Sequence, residues 1–504
     1  MSVKPRQTLD GYRKNARALK KAYASAEPEA LERAARQGIS SASPKHADFL
    51  HVVAREAGFA SWPKLKLALE IAGMSRPDCA DRLRRALYFG QHWVTHKLLA
   101  EDPDLAQADF GLEVALYDLA AVRKAVDRDP RAATQLAGVR SPILHLAYSR
   151  EIHRSPEKAA DMLAIAELLV NHGANVNDGY RAASESDHTI SALYGALCHA
   201  DNPALGEWLL AQGANPDDNE SLYHATELGH TDALKALLAH GASPSGTNAL
   251  PRALDFDDIE KVRLLLQAGA NPNEAAEDHP SGHPMDTIPA LHQAARRGAS
   301  VDMVTLLLDF GADPSANWDG HTPYAMARIY GNDAVAGLLA ERGAPAHLDF
   351  NERILAACAD GAAPPERLDL EALSAEDRGL LTKIAFQPGR LEHLKALVTA
   401  GLDPDARDDM GLPPLHVAGW NGLADEFRYF LGLQPDLAYR NKFGGDALDT
   451  IVHGAEFAPK RPGADHIACA RMALKAGATL FPDYVSGCGE EEMAVFLEDW
   501  ALRT

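Results

Sequence analysis

Aliphatic pairs recur along the chain, each closing an amphipathic stretch and followed by two or three polar residues and a Gly-Ala-Asn/Asp/Ser turn. The pattern reads LLVNHGANVN (168–177), LLAQGANPD (209–217), LLAHGASPS (237–245), LLQAGANPN (265–273), LLDFGADPS (307–315) and LLAERGAPA (338–346). Looser copies are LVTAGLDPD (397–405) and ALKAGATLF (473–481). Each pair predicts the end of a helix with one aliphatic face on a core. The glycine stops that helix in a left-handed conformation that a Cβ would hinder, so Gly213, Gly241 and Gly269 are expected at positive φ.

A second motif precedes the first: SPILHLAYS (141–149), IPALHQAARRG (288–298), HTPYAMARIYG (321–331) and LPPLHVAGWNG (412–422). Ser or Thr suits a helix N-cap, and proline suits the first turn, where its missing N–H would be unpaired anyway. Gly213, Gly241 and Gly269 are 28 residues apart, Gly311 and Gly343 are 32 apart, and Gly343 and Gly401 are 58 apart, room for two repeats. Two motifs alternating in register, T-P-L-H-x-A then L-L-x-x-G-A-D, at a period near 33, resemble the ankyrin repeat over residues 78–483. The resemblance implies an all-α ankyrin-repeat solenoid of about twelve repeats with β-hairpin-like fingers and a concave binding face.

Departures from the register are informative. LLAEDPDLA (98–106) and AVDRDPRAA (125–133) turn the chain with Asp-Pro instead of Gly-Ala-Asp. Extra residues at 149–161, 178–189, 274–287 and 453–465 predict loop insertions, and the repeat near 350–377 is degenerate. Residues 1–75 show no repeat; HADFLHVVAREAGFASWPKLKLALEIAG (46–73) predicts a helix, a stop at Gly58 and a second helix capped by Ser61 with Pro63 in its first turn. This is similar to the helical leader of some bacterial ankyrin arrays, which suggests a bacterial source. The expected organisation is a leader over 1–75 that caps the first repeat and buries Phe49, Phe59, Trp62 and Leu65. An array follows over 76–483, and a capping helix over 484–504.

Composition narrows the classes. Aromatics make up 7% of the 504 residues, as suits short packed helices better than sheet. Five scattered cysteines without C-x-x-C predict a reducing, cytoplasmic setting with no zinc site or disulfide framework. No run of about 20 apolar residues is present to span a bilayer. The net charge of −21 divides into +6 over residues 1–75 (13 Lys/Arg, 7 Asp/Glu) and −27 beyond. Such an acidic array disfavours nucleic acid and anionic membranes, keeps a long chain monomeric, and suits basic or neutral partners.

In the ankyrin register His145, His292 and His416 hold the histidine slot that ties neighbouring repeats together, a structural role. The groove-facing slots fall on Arg150, His199, Glu227, Leu228, Asp255, Phe256, Arg296, Arg297, Tyr330, Trp420, Asn421 and His453. Finger tips add Asp286, Trp318, Asp319, His321, Asp409, Met410 and Phe443. Trp, Tyr and Arg are the types that anchor interfaces. Trp318, Tyr330 and Trp420 are therefore the expected anchors, with Arg296 and Arg297 beside them to take an acidic group, and with the insertion at 178–189 as the alternative location. His279 and His283 with Asp278 and Asp286 could hold a metal, but a Pro/Gly loop lacks the helix that would align them, and neither metal nor cofactor is expected. Glu227, Asp255 and His199 could act as acid and base. Function is thus expected to be the binding of a protein or peptide in the groove. The alternative is an enzyme or small-molecule binder with a pocket roofed by the insertions.

Overall fold

The computed structural model describes residues 7–501 except 40–43, 45, 182–188, 275–276, 279–283, 286–287, 365, 483, 485–487 and 489. The chain divides into two compact units, Met1–Ala290 and Leu291–Thr504. Each is a succession of short helix pairs joined by finger-like loops.

In the first unit, helices Leu9–Ala24, Pro28–Arg36, His46–Glu56 and Trp62–Gly73 precede the repeats. Tyr12, Leu19, Phe49, Val53, Trp62 and Leu65 form a core of their own, with Phe59 packed at its edge. Leu67, from the last of these helices, joins Leu83, Leu87, Val94 and Leu98 of the first repeat instead. One amphipathic helix therefore serves two cores. Ser61 stands at its N-cap with Pro63 in the first turn, but the serine side chain makes no capping bond.

The repeats follow, for example Arg76–Tyr88 with His92–Glu101, and Ala249–Asp255 with Ile259–Gln267. Leu209, Leu237 and Leu265 are fully buried at the helix ends, and Gly213, Gly241 and Gly269 follow them at φ of 92°, 89° and 99°. The Asp-Pro sites wind into the 3-10 turns Pro103–Gln107 and Pro130–Ala133. Residues 149–161 supply two more, Arg150–His153 and Pro156–Lys158. The insertion at 178–189 pairs Gly179–Arg181 with Thr189–Ser191, Tyr180 opposite Ile190. That at 274–287 pairs Glu277–Asp278 with Pro284–Met285; His279, His283 and Asp286 lie outside the described residues. Ser141 precedes helix Pro142–Ala147, yet its hydroxyl donates to Asp178 instead of receiving a helix amide.

In the second unit, Thr322 caps helix Pro323–Ile329 by accepting from the Ala325 amide at 3.2 Å. The degenerate repeat departs most. Helix Phe350–Ala359 is followed by irregular chain, held where Asn351 and Asp369 exchange hydrogen bonds (3.0 and 2.9 Å) and where the Leu368 amide meets the Ala400 carbonyl (2.9 Å). A short helix, Ala375–Arg378, then precedes Leu380–Ala385. The insertion expected at 453–465 starts later, because helix Ala447–Phe457 continues through its first residues. Among the described residues no helix is long and apolar enough to cross a membrane.

Candidate functional site

The ankyrin-register histidines do tie the chain together. His145 Nε2 bonds the Ala137 carbonyl (2.8 Å), His292 Nε2 the His321 carbonyl (3.0 Å), and His416 Nδ1 the Thr450 hydroxyl (3.2 Å). Burial pushes His292 and His416 down to about 4, so both are neutral.

The other candidates gather in four places. The first is closed. Tyr330 is only 2% exposed, and its hydroxyl donates to Glu376 of the short helix Ala375–Arg378. Lys383 pairs with the same carboxylate, as does Arg296 at 3.4 Å, and the Glu376 amide donates to Asp319 at 2.6 Å. Burial opposes ionisation of Glu376, but Lys383 and Arg296 outweigh it and hold the carboxyl below its usual range. His321 lies buried between Glu352 (2.8 Å) and Asp377 (3.1 Å). Burial works against its charged form, yet the two carboxylates lift it to about 10, an imidazolium at neutral pH.

Tyr330 and His321 therefore do not face a groove, because the degenerate repeat itself closes over them and uses their polar atoms. Asp319 and Arg296 are likewise engaged from within the unit. Arg296 and Arg297 stand in the last turn of helix Ala290–Arg297, where positive charge favours the helix dipole. Their presence in an acidic array thus has a local cause. Trp318 is half-buried near His292, ring centres 6.2 Å apart, and Arg297 is exposed.

The second place is open. Trp420 ends helix Pro414–Trp420, half-buried, and the ring of His453 lies 5.4 Å from it; Phe457 lies 4.4 Å beyond. Gly454 makes the approach of the two helices possible, since a Cβ there would strike the Trp420 carbonyl. His453 is exposed and Phe457 is 57% exposed. On the fingers of the same two repeats, Met410 and Phe443 (75%) are also exposed, with the Lys442 amide bonded to the Met410 carbonyl at 3.1 Å. Asn421 does not join this surface: it is buried, its amide donating to the Val417 carbonyl at 2.9 Å.

The third and fourth places lie in the first unit. Glu227 accepts from Arg252 (2.6 and 2.9 Å) and pairs with His224 (2.8 Å), while Asp255 accepts from Arg252 at 3.0 Å. The His224 hydrogen bond, with help from Arg252, keeps Glu227 ionised below its usual range. An acid fixed this way by two cations is a poor proton shuttle. His199 is elsewhere, against Tyr88 (3.9 Å), its Nε2 bonding the Tyr88 carbonyl at 2.8 Å. Burial lowers it to about 4. His199, Glu227 and Asp255 thus do not form a catalytic set. Around His199 cluster Tyr148, Tyr180 and Arg140, residues outside the groove slots of the repeat; the tyrosines in 141–149 and in the 178–189 insertion were the available signal.

Residues 193–276 match the family described as ankyrin repeats (3 copies), and residues 288–317 match the ankyrin repeat. Among solved structures, the chain is similar to an ankyrin repeat domain from Acinetobacter baumannii AYE, at 26% identity and a TM-score of 0.31, covering 38% of this chain and 98% of that one. It is also similar to the human ASB11 ankyrin repeat domain, at 19% identity and a TM-score of 0.22, covering 52% of this chain and 99% of that one. No curated protein matches the sequence. The chain carries ankyrin repeats, and its fold is the all-α ankyrin-repeat class.

Proposed function

We propose that this protein is an interaction module that holds an extended protein or peptide segment, and that Trp420, His453, Phe457, Met410 and Phe443 are its main contacts. Ankyrin repeats generally mediate protein–protein interaction. The observation that carries the proposal here is the run of exposed apolar and aromatic side chains on two successive repeats, Met410 and Phe443 at the fingers and His453 and Phe457 at the helix end. Flat rings give large contact area for little ordering entropy. Trp318 and Arg297 remain secondary contacts. The acid excess suits a basic or neutral segment, the five free thiols fit a cytoplasmic setting, and we take the chain to act as a monomer with its leader as a cap.

The test is to select linear peptides from a displayed random library against the whole chain. Affinity should fall at least about tenfold in Phe457→Ala and Phe443→Ala with melting unchanged. Peptides that bind both variants as tightly as the parent would move the contact away from this surface.

A further inference from the structure

Two arginines of the first unit lie among aromatic rings, and they differ in what meets their hydrogen-bonding edge. Arg252 sits over Phe256 (4.8 Å to the ring centre) and Tyr223 (5.6 Å), and its donors are met by Glu227 at 2.6 and 2.9 Å and by Asp255 at 3.0 Å. Arg140 has more rings around it: Tyr88 and Tyr148 at 4.8 Å and Tyr180 at 4.7 Å. Among the described residues no carboxylate or carbonyl accepts from its guanidinium.

Ring faces offset positive charge, but a ring offers no acceptor in the guanidinium plane, where the five N–H donors point. The surroundings are built to hold that plane still. Tyr148 is buried, with its hydroxyl donating to the Ser191 carbonyl at 2.9 Å. Tyr88 is backed by His199, and Tyr180 is fixed in the strand pair that also contains Ser191. The Arg140 backbone is pinned in a tight hairpin, the Ala137 amide donating to the Arg140 carbonyl at 2.9 Å. Arg150, whose Nε donates to the His199 carbonyl at 2.9 Å, adds a second positive charge near His199. Arg140 itself is half-buried.

We propose that Arg140 and its tyrosine walls form a carboxylate-binding site, taking an acidic side chain or the free C-terminus of a peptide. The ligand carboxylate does for Arg140 what Glu227 and Asp255 do for Arg252: a planar acceptor meets a planar, preoriented donor fork. The site shares no residue with the Trp420–His453–Phe457 surface, so each can fail without the other.

The whole chain can be titrated while the arginine Nε–Hε groups are observed by NMR, Arg140 being assigned by the signal that Arg140→Lys removes. Four probes separate the sources. Acetyl-Gly-Glu-Gly-amide carries a side-chain carboxylate, acetyl-Gly-Gln-Gly a terminal one, acetyl-Gly-Gln-Gly-amide none, and inorganic phosphate is the fourth. The expected result is a saturable shift of the Arg140 signal with at least one carboxylate peptide, no shift with the blocked amide, and a stationary Arg252 signal, because its edge is filled. Affinity should weaken at least tenfold in Arg140→Gln. Equal movement of Arg140 and Arg252, a response to phosphate without a response to either carboxylate, or no response to any probe would each overturn the assignment.

Discussion

Within the second unit, the stretch from Trp318 to Ala385 and the stretch from Pro414 to Phe457 both carry aromatic residues and histidines expected to face a groove, and they use them in opposite ways. In the first, Tyr330, His321 and Asp319, joined by Arg296 from the helix before them, turn to Glu376, Glu352 and Asp377. In the second, the rings of Trp420, His453 and Phe457 lie in a row, with His453 and Phe457 exposed. The difference arises from one irregular segment. Irregular chain follows helix Phe350–Ala359, and the short helix Ala375–Arg378 then brings the carboxylates of Glu376 and Asp377 to Tyr330 and His321. A slot in a repeat is a binding position only where no neighbouring segment already covers it.

The largest effect expected from breaking this contrast is at Glu376. Glu376→Ala leaves Arg296, Lys383 and the Tyr330 hydroxyl around a vacated, buried position. Because the two cations are partly exposed and can be hydrated, the loss should be about 2–3 kcal/mol, measured by denaturant unfolding. The same substitution at a solvent-facing acid of the second stretch, Asp425→Ala, should change stability by less than about 0.5 kcal/mol.

The pH dependence should sharpen the contrast next. His321 titrates at about 10 when folded and about 6.5 when unfolded. Its contribution to stability is complete below pH 6.5 and is lost as pH rises toward 10. His416, at about 4 when folded, behaves in the opposite sense: its contribution holds above pH 6.5 and is lost as pH falls toward 4. Melting temperature against pH for His321→Gln and His416→Gln should therefore flatten opposite arms of the curve. Flattening of the acidic arm by His321→Gln would contradict the ion-paired geometry.

A smaller and local effect is expected at the helix stops. Gly241→Val forces a Cβ into φ 89° and should cost about 1–2 kcal/mol. Hydrogen exchange should show the lost protection near that repeat alone, since stability in such an array sums over neighbours. The smallest effect on stability, within about 0.5 kcal/mol, belongs to Phe457→Ala, whose ring is mostly in solvent. Its consequence should appear in binding.

The helix pairs were legible because they are written locally: an aliphatic pair and a glycine stop fix where Leu237–Gly241 turns, whatever surrounds it. The structural histidines were legible because their slot recurs in the repeat motif, even though His292 bonds the backbone of His321, in the next finger. Groove slots were legible only as positions. Tyr330 and Trp420 were both expected in the groove, but Tyr330 stands one slot later, level with the equally buried Asn421, and it is closed over by Glu376, which is 46 residues from it along the chain and belongs to a segment without the repeat pattern. Asn421 was lost to its own helix, its amide finding the Val417 carbonyl. The Arg140 cluster escaped because Tyr88 and Tyr180 come to it from distant parts of the chain, and only Tyr148 lies within a repeat motif.

The most direct test of the central claim is hydrogen exchange on the whole chain with and without a library-selected peptide at saturation. Binding by the open surface predicts added protection over 414–421 and 447–457 and none over 374–385. Added protection concentrated at 374–385, with the Trp420–His453–Phe457 segments unchanged, would contradict it.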